Sequence, residues 1–186
     1  SSIDFVEDRS LKEEVKNTRR LLILRSFSNF FALPGLWIGY LLGNREAVGN
    51  LRGVLPPRAA NTLGLIAAAE SLRDAAHIRR SKEWLPGERN LFAQSLRGVP
   101  GLVPYPGTAD YLLVQLLPFL GIDGRGLQEK LLREGFRIDD CRSCPSLVPY
   151  FFSVALRSRQ ENNLLIKALR KIAGELTSFP NKAERK

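Results

Sequence analysis

The sequence predicts an α/β fold, because short apolar runs of strand length alternate with segments that carry helix-start signals. Residues 21–24, 37–42 and 111–116 are nearly continuous apolar runs, which is typical of strands in a buried sheet. Ser158 and Glu161 stand at the spacing of a capping box, and apolar residues at helical spacing follow them. With 186 residues and 44% hydrophobic content, the chain can bury one sizeable core or two small ones.

The first part of the chain is expected to form two strands. Ser10 and Glu13 have capping-box spacing, which predicts a short helix that ends near residue 19. The run at 21–24 predicts a strand buried on both faces, and 26–36 a loop before the second strand, which Gly43 ends. Since two buried strands cannot form an independent sheet, we expect further sequence before this segment in the parent protein.

Helices are expected between the strands and the C-terminal part. Asn44 can cap the first of them, and the prolines at 56 and 57 stop it. An Ala-rich helix is predicted over 59–84, with an interruption at Pro86 and a helical continuation over 88–96. Long helices of this kind often link two lobes.

From Gly98 onward the chain is expected to form a small α/β unit, because proline and glycine residues precede a strand at 111–116. Gly135 takes the usual position after a helix. The charged tail after Thr177 is expected to be loose. The other expected elements are a helix over 126–134, strands over 136–138 and 151–156, and a last helix that begins at Ser158.

The formal net charge of +9 invites a nucleic-acid hypothesis, because lysine and arginine neutralise phosphates. The basic residues are mixed with acids, as in KEEVK at 12–16, and no aromatic–basic stacking motif is present, which favours an ordinary solvated surface. No apolar run has the length of a membrane span, and residues 1–5 lack a secretory-signal pattern. Two cysteines favour a reducing compartment, so we expect a cytoplasmic protein.

The loop between the first two strands carries the most informative motif. Residues 25–40 read RSFSNFFALPGLWIGY. This segment resembles the cofactor-lysine segment of fold-type-I enzymes that use pyridoxal 5′-phosphate (PLP), in which Ser-x-Ser/Thr-Lys and a glycine-containing apolar stretch precede Arg-x-Gly. It is most similar to the threonine-phosphate decarboxylases of cobalamin biosynthesis, and next to the histidinol-phosphate aminotransferases.

Further segments resemble the same family, the PLP-dependent aminotransferases of class I and II. They follow one another in the family's order and without large gaps, whereas one such match alone would be weak evidence. The segments are Pro56-Pro57 with Asn61, Tyr105-Pro106 with 109–114, Ile138 to Cys141, and Val154 to Ser158 with Glu161-Asn162.

The resemblance implies the C-terminal part of a PLP-dependent transferase fold. Residues 1–57 would be the end of the large-domain sheet, 58–97 a long connecting helix, 98–177 a small α/β domain and 178–186 a tail. The acid that pairs with the pyridine nitrogen in the family would lie upstream of the chain. The resemblance implies that the chain forms a homodimer or pairs with the N-terminal half. It also implies a reaction, which is either decarboxylation of L-threonine O-3-phosphate or transamination of a related phosphate ester.

The resemblance aligns the family's PLP-binding lysine with Asn29. PLP chemistry begins with a Schiff base to an amine, and an amide nitrogen is not nucleophilic because its lone pair is delocalised. The resemblance also aligns Ser26 and Ser28 with phosphate-binding hydroxyls, and Trp37 with the arginine that binds the phosphate. We therefore expect weak and non-covalent PLP binding or none, and an inactive relative; the alternative is activity through other residues.

Four positions resemble the substrate side of the family. Ser153 aligns with the arginine that pairs with the substrate carboxylate, and Asp139 with an arginine near the substrate, where a carboxylate would repel an anion. Asp110 stands in place of an asparagine. Arg157 matches a second arginine and could bind an anion, although surface charge at a strand end explains it equally well.

Other functions stay open at this point. The fold could be a non-catalytic interaction module or scaffold, and a basic nucleic-acid binder is a third hypothesis. Further motifs favour ordinary roles. Cys141 and Cys144 lack the additional ligands that zinc needs, the lone His77 is expected on a helix surface, and the glycines at 121–126 are expected to form a turn before a helix.

Overall fold

The computed structural model describes residues 2–56, 58–147 and 149–178. Pro57 and the tail from residue 179 onward, both of which carried expectations above, lie outside the described residues. The chain divides into two compact units, Ser1–Glu83 and Trp84–Lys186. Helix α3 (Ala75–Arg97) begins in the first unit and ends in the second.

The first unit contains an antiparallel β-hairpin. Strand β1 (Ile23–Ser26) pairs with β2 (Gly39–Leu42), and residues 27–38 join them. Ile23 lies opposite Leu42 and Ser26 opposite Gly39, so the connecting loop and the free strand ends are at opposite ends of the hairpin. The other elements are 3-10 helices at Ser2–Arg9, Glu14–Lys16 and Pro34–Leu36, α1 (Arg45–Val54) and α2 (Thr62–Arg73).

Two expectations for the part of this unit before β2 are wrong. The strand expected to be buried on both faces is open on one, because no described element covers Leu24, which is 79% exposed. The helix expected from Ser10 is reduced to the 3-10 turn at Glu14–Lys16. The Ser10 hydroxyl accepts hydrogen bonds from Lys12 N and from the Arg25 guanidinium, so it does not cap an α-helix.

Capping side chains determine where the helices of this unit begin and end. Asn44 Oδ1 accepts from Ala47 N at 2.8 Å and begins α1, as expected. The long helix expected over 59–84 is instead broken at Asp74. The Asp74 carboxylate accepts from His77 N at 2.8 Å, and this local bond competes with continuation of the helix.

Pro86 lies inside α3 without interrupting it, contrary to the expectation from the sequence. A proline in a helix interior costs roughly 3 kcal/mol, because it removes one backbone hydrogen bond and crowds the preceding turn. Leu85, Phe92 and Leu96 on the same helix are at most 2% exposed. Burial of side chains of this size contributes about 1.5–3 kcal/mol each, so packing outweighs the local penalty.

The second unit contains a three-stranded antiparallel sheet and several helices. Strands β3 (Leu102–Pro104), β4 (Tyr111–Leu116) and β5 (Phe151–Ala155) are arranged in that order. Helices α4 (Gly124–Arg133) and α5 (Arg159–Ser178) and a 3-10 helix at Pro118–Leu120 complete this unit.

The core of the second unit lies on one face of its sheet. Leu112, Val114 and Leu116 alternate along β4 and are at most 1% exposed, as the two-residue period of a strand requires. Phe152 of β5 and Leu169 of α5 are 0% and 2% exposed. Within the described ranges, no helix combines the length and the apolar character that a membrane span requires.

The end of α4 shows one expectation confirmed and one wrong. Gly135 has φ +82°, the left-handed conformation expected after a helix. Phe136 N donates to the Leu131 carbonyl at 2.8 Å and closes the helix, so the strand expected over 136–138 does not form. A single isolated bridge joins Asp139 to Ser153 instead.

Candidate functional site

Residues 27–38 form the loop that carries the predicted cofactor positions, and both of its ends are buried. Phe27 and Ile38 are 2% and 7% exposed, and Phe27 N donates to the Ile38 carbonyl at 3.2 Å. The Phe27 ring lies 5.1 Å from the ring of Phe31 and 5.5 Å from that of Tyr40. Aromatic packing and backbone hydrogen bonds therefore define the path of the loop.

Asn61, which precedes α2, and His77 of α3 hold the loop in place. Asn61 Nδ2 donates to the Leu36 carbonyl at 3.0 Å, while Asn61 Oδ1 caps α2 by accepting from Gly64 N at 2.7 Å. His77 Nε2 lies 2.8 Å from the carbonyl oxygen of Phe30, so this ring nitrogen is the donor in that contact. The expectation of a plain surface histidine omitted this half-buried contact with the loop.

The four predicted cofactor positions lie on the same hairpin. Asn29 is exposed on a turn, and its backbone carbonyl accepts from Ala32 N at 3.1 Å. The hydroxyl oxygens of Ser26 and Ser28 are 2.7 Å apart, and Ser28 N donates to Ser26 Oγ at 3.1 Å. Trp37 is 92% exposed and has the left-handed φ of +50°. A hydroxyl pair therefore lies beside Asn29, and the indole of Trp37 is open to solvent.

A buried arginine anchors the strand that leads into this loop. The Arg25 side chain is 1% exposed, and its Nη1 lies 2.5 Å from Asp4 Oδ1 and 3.2 Å from Glu7 Oε2. Its Nη2 lies 2.5 Å from Ser10 Oγ. Glu7 also pairs with Lys12 at 2.8 Å. The cluster joins the N-terminal residues to the hairpin.

Burial and the charged groups around Arg25 shift the pKa values of Glu7, Lys12 and Tyr40. Burial alone would raise the pKa of Glu7, but hydrogen bonds from Lys12 and Arg25 hold this pKa below its ordinary value. The bond to Glu7 raises the pKa of Lys12. Burial, followed by the charge of Asp4, raises the pKa of Tyr40. Neither Lys12 nor Tyr40 is therefore shifted toward the deprotonated form that a nucleophile or a base requires.

The predicted substrate positions lie on and beside β5. Ser153 N donates to the Asp139 carbonyl at 2.7 Å, and Asp139 N donates back at 3.1 Å. Leu156 N donates to the Asp110 carbonyl at 2.8 Å, which places Asp110 beside the end of β5. Asp110 Oδ1 is buried and has no hydrogen-bond partner among the described residues.

Arg157 follows β5, and its backbone is held more firmly than its charged group. Its N–H donates to Asn162 Oδ1 at 3.0 Å, and Asn162 Nδ2 donates to its carbonyl at 2.9 Å. Its guanidinium is exposed and lies 3.5 Å from the carboxylate of Glu161. This weak surface pair already neutralises part of the charge that an anion would need.

The structure brings the predicted positions together in two groups, one in each unit. Sequence reasoning missed the residues that hold these groups in place, because their partners are distant in the chain. Arg25 bonds to Asp4 across 21 residues and Glu88 to Asn162 across 74. For Arg25, the sequence signal was its position directly after the apolar run at 21–24. The groups are Ser26, Ser28, Asn29 and Trp37 in the first unit, and Asp110, Asp139, Ser153 and Arg157 in the second.

The two cysteines differ in their surroundings. Cys141 is buried and has φ +57°, whereas Cys144 is exposed, and both thiols are free. Burial, followed by the charge of Asp139, raises the pKa of the Cys141 thiol. Among the residues that the structure describes, no group of three His, Cys, Asp or Glu side chains could hold a metal ion.

Solved structures with the same fold include histidinol-phosphate aminotransferases and an L-threonine-O-3-phosphate decarboxylase. The histidinol-phosphate aminotransferase from Clostridium acetobutylicum has a TM-score of 0.86 at 27% identity, over 94% of this chain and 53% of that chain. The L-threonine-O-3-phosphate decarboxylase from Porphyromonas gingivalis has a TM-score of 0.78 at 23% identity, over 88% and 50%. The predicted α/β class, part of a PLP-dependent transferase fold, is confirmed.

The chain belongs to the aminotransferase class I and II family, whose model matches residues 1–169, and this family is PLP-dependent. Among curated relatives, the threonine-phosphate decarboxylase of Salmonella typhimurium is 33% identical over 172 residues, which cover 91% of this chain and 46% of that protein. The chain thus spans about half the length of the relatives it matches. The family resemblance predicted from the sequence is confirmed.

Proposed function

We propose that this chain is a non-catalytic, threonine-phosphate-decarboxylase-like member of the aminotransferase family. Asn29 carries the proposal, because an exposed amide occupies the place in the loop motif where the resemblance puts the PLP-binding lysine. An amide cannot form the covalent bond to the cofactor aldehyde from which PLP reactions start. The activities of the relatives therefore do not extend to this chain by itself.

The residues around Asn29 do not fit PLP as a covalently bound cofactor. Trp37, at the position assigned to the phosphate-binding arginine, offers one neutral N–H and is 92% exposed. Ser26 and Ser28 offer hydroxyls, which already bond to each other at 2.7 Å. Two neutral hydroxyls bind a phosphate dianion more weakly than a bidentate guanidinium does. No reaction step through the cofactor follows from these residues.

The lysines nearest to the motif in sequence do not replace the missing amine. Lys12 lies 2.8 Å from Glu7, and the raised pKa of its amine keeps it protonated. Lys16 is exposed and pairs with Glu13 at 2.5 Å. Since only an unprotonated amine attacks an aldehyde, the raised pKa of Lys12 supports inactivity over activity through this residue.

The predicted substrate positions are also unsuited to an anionic substrate. Asp139 and the partly buried Asp110 carry carboxylates, and Ser153 is neutral. The guanidinium of Arg157 already faces Glu161. A substrate such as threonine phosphate carries a carboxylate and a phosphate, which neighbouring carboxylates repel. This charge distribution supports the loss of phosphate-ester chemistry.

Borohydride reduction in the presence of PLP tests the proposal. Peptide mass spectrometry should find low labelling spread over exposed lysines of the wild-type chain. In Asn29→Lys, the pyridoxyl adduct should concentrate at position 29. The control variant Asn50→Lys places a lysine on the exposed surface of α1, and labelling at position 50 should be lower than labelling at position 29. A stoichiometric adduct on a single native lysine would overturn the proposal.

A second candidate, a protein-interaction module or scaffold, is favoured by exposed apolar side chains of the first unit. Leu63 and Ile66 lie three residues apart on α2, hence on one helix face, and are 73% and 56% exposed. Leu24 of β1 is 79% exposed. A second copy of the chain, or the rest of the family fold, could cover these side chains.

Sedimentation velocity distinguishes the interaction candidate from a monomer. We expect concentration-dependent association that the double variant L63S/I66S reduces. Leu164→Ser removes a similarly exposed leucine, 47% exposed, from α5 and should leave association unchanged. A monomer over the whole accessible concentration range would count against this candidate.

We also propose that the chain divides into domains at residues 57, 97 and 177, and that it is cytoplasmic. Boundaries at 57, 97 and 177 are tested by limited proteolysis, which cuts first in exposed connections between folded domains. A cytoplasmic location is tested by cell fractionation.

A further inference from the structure

A cavity of about 670 Å³ lies in the first unit, at the end of the hairpin opposite to the Asn29 loop. Its floor is apolar, since Leu41 and Leu42 of β2 line it together with Val15 and Val48. Its volume is within the range of about 300–1,000 Å³ that is usual for small-molecule sites. Neither the predicted cofactor positions nor the predicted substrate positions line it.

Four basic side chains form the rim of this cavity: Lys12, Lys16, Arg45 and Arg52. Both lysines are already paired with glutamates, at 2.8 and 2.5 Å. Within the described ranges, neither Arg45 nor Arg52 has an ion-pair partner. Two guanidinium groups are therefore available to an anion.

Helix α1 places these two arginines at either end of an apolar trough, which is the part of the cavity lined by Val48 and Gly49. Four lining residues lie on one face of α1, because their spacings of three, one and three residues match the helical repeat: Arg45, Val48, Gly49 and Arg52. The step of seven residues from Arg45 to Arg52 corresponds to about 10.5 Å along the helix axis. A Cβ at Gly49 would meet no atom within 4 Å, so the trough is open between them.

We propose that this cavity binds a small amphipathic anion, of the class of medium-chain carboxylates, at one site per chain. A guanidinium of Arg45 or Arg52 would donate bidentate hydrogen bonds to the carboxylate. The alkyl chain would lie on Leu41, Leu42 and Val48, where its burial is favourable. Such a site is independent of whether the Asn29 loop is catalytic.

Isothermal titration calorimetry of the full chain with octanoate tests the proposal. We expect one site, with binding at least about tenfold weaker for octylammonium, octanol and acetate, because each lacks either the carboxylate or the chain. R45Q/R52Q should weaken octanoate binding by about tenfold or more. Arg73→Gln, in an exposed pair on α2 away from the cavity, should leave the affinity unchanged.

A second variant fills the trough and keeps both arginines. Gly49→Leu adds a side chain where the structure has open space, and leucine favours a helix more than glycine does, so this variant should fold and lose octanoate binding. Equal octanoate affinity in R45Q/R52Q and wild type would overturn the proposal. Equal binding of octanoate and octylammonium would overturn it as well, since binding would then be apolar only.

Discussion

The amide nitrogen of Asn162 lies 2.9 Å from a carboxylate oxygen of Glu88, which is 3% exposed and 74 residues earlier in the chain. Arg159 Nε donates to the other oxygen at 2.7 Å. Asn162 also exchanges two hydrogen bonds with the backbone of Arg157. One side chain therefore joins α3, the end of β5 and the start of α5, and holds the candidate position Arg157.

Removal of this amide should destabilise the chain. In Asn162→Ala, the buried Glu88 loses a donor and the Arg157 backbone loses two partners, so the free energy of unfolding should fall by about 2–3 kcal/mol. Urea denaturation measures this change. The control Asn163→Ala removes an exposed neighbour and should stay within about 0.5 kcal/mol of wild type. Equal losses in both variants would contradict a specific role for Asn162.

The buried Arg25 should be costly to replace singly. Arg25→Met removes the buried cation beside Asp4 and Glu7, while Glu7 keeps its pair with Lys12, and we expect a loss of about 3–5 kcal/mol in urea denaturation. Adding Asp4→Asn should recover part of this loss, because it removes one buried charge. A double variant no more stable than Arg25→Met would argue against a charge-based explanation.

Stability should depend on pH through Glu7. Its pKa is lower in the folded chain than the ordinary value of 4.5, so the folded state binds fewer protons and is favoured at higher pH. This contribution is fully present above about pH 4.5 and is lost as the pH falls through the folded pKa. The difference in unfolding free energy between wild type and Glu7→Gln should shrink over that range. A difference that is constant with pH would contradict the assignment.

The two thiols should react at different rates. Iodoacetamide should alkylate Cys144 before Cys141, because Cys144 is exposed while burial raises the pKa of Cys141 and only the thiolate reacts. Peptide mass spectrometry over time at pH 8 measures both rates. In urea above the unfolding midpoint, the rates should converge. Faster labelling of Cys141 in the folded chain would be inconsistent with the structure.

Local signals in the sequence predicted local structure correctly. Glu161 accepts from Ser158 N at 3.1 Å, and Glu161 N donates back to Ser158 Oγ at 3.3 Å, which is the capping box expected at the start of α5. Asn44 caps α1, and Gly135 has the expected positive φ. Each of these features depends on residues within one helical turn, so the sequence alone is sufficient.

The same signals failed where a distant partner competed for a side chain. Ser10 has capping-box spacing too, but its hydroxyl accepts from the buried Arg25, whose charge requires acceptors. Pro86 was expected to interrupt a helix, but the buried face of α3 holds the helix together. Neither the burial of Arg25 nor that of Leu85 can be read from the neighbouring residues.

By itself, the sequence determined the family and the absence of an amine at position 29, because motif order and side-chain chemistry are properties of residue identity. Only the tertiary structure decided that the loop is held by Asn61 and His77, that the predicted positions form two groups, and that Arg45 and Arg52 flank an apolar trough. These relationships depend on which surfaces are buried together, and burial is a property of the folded chain.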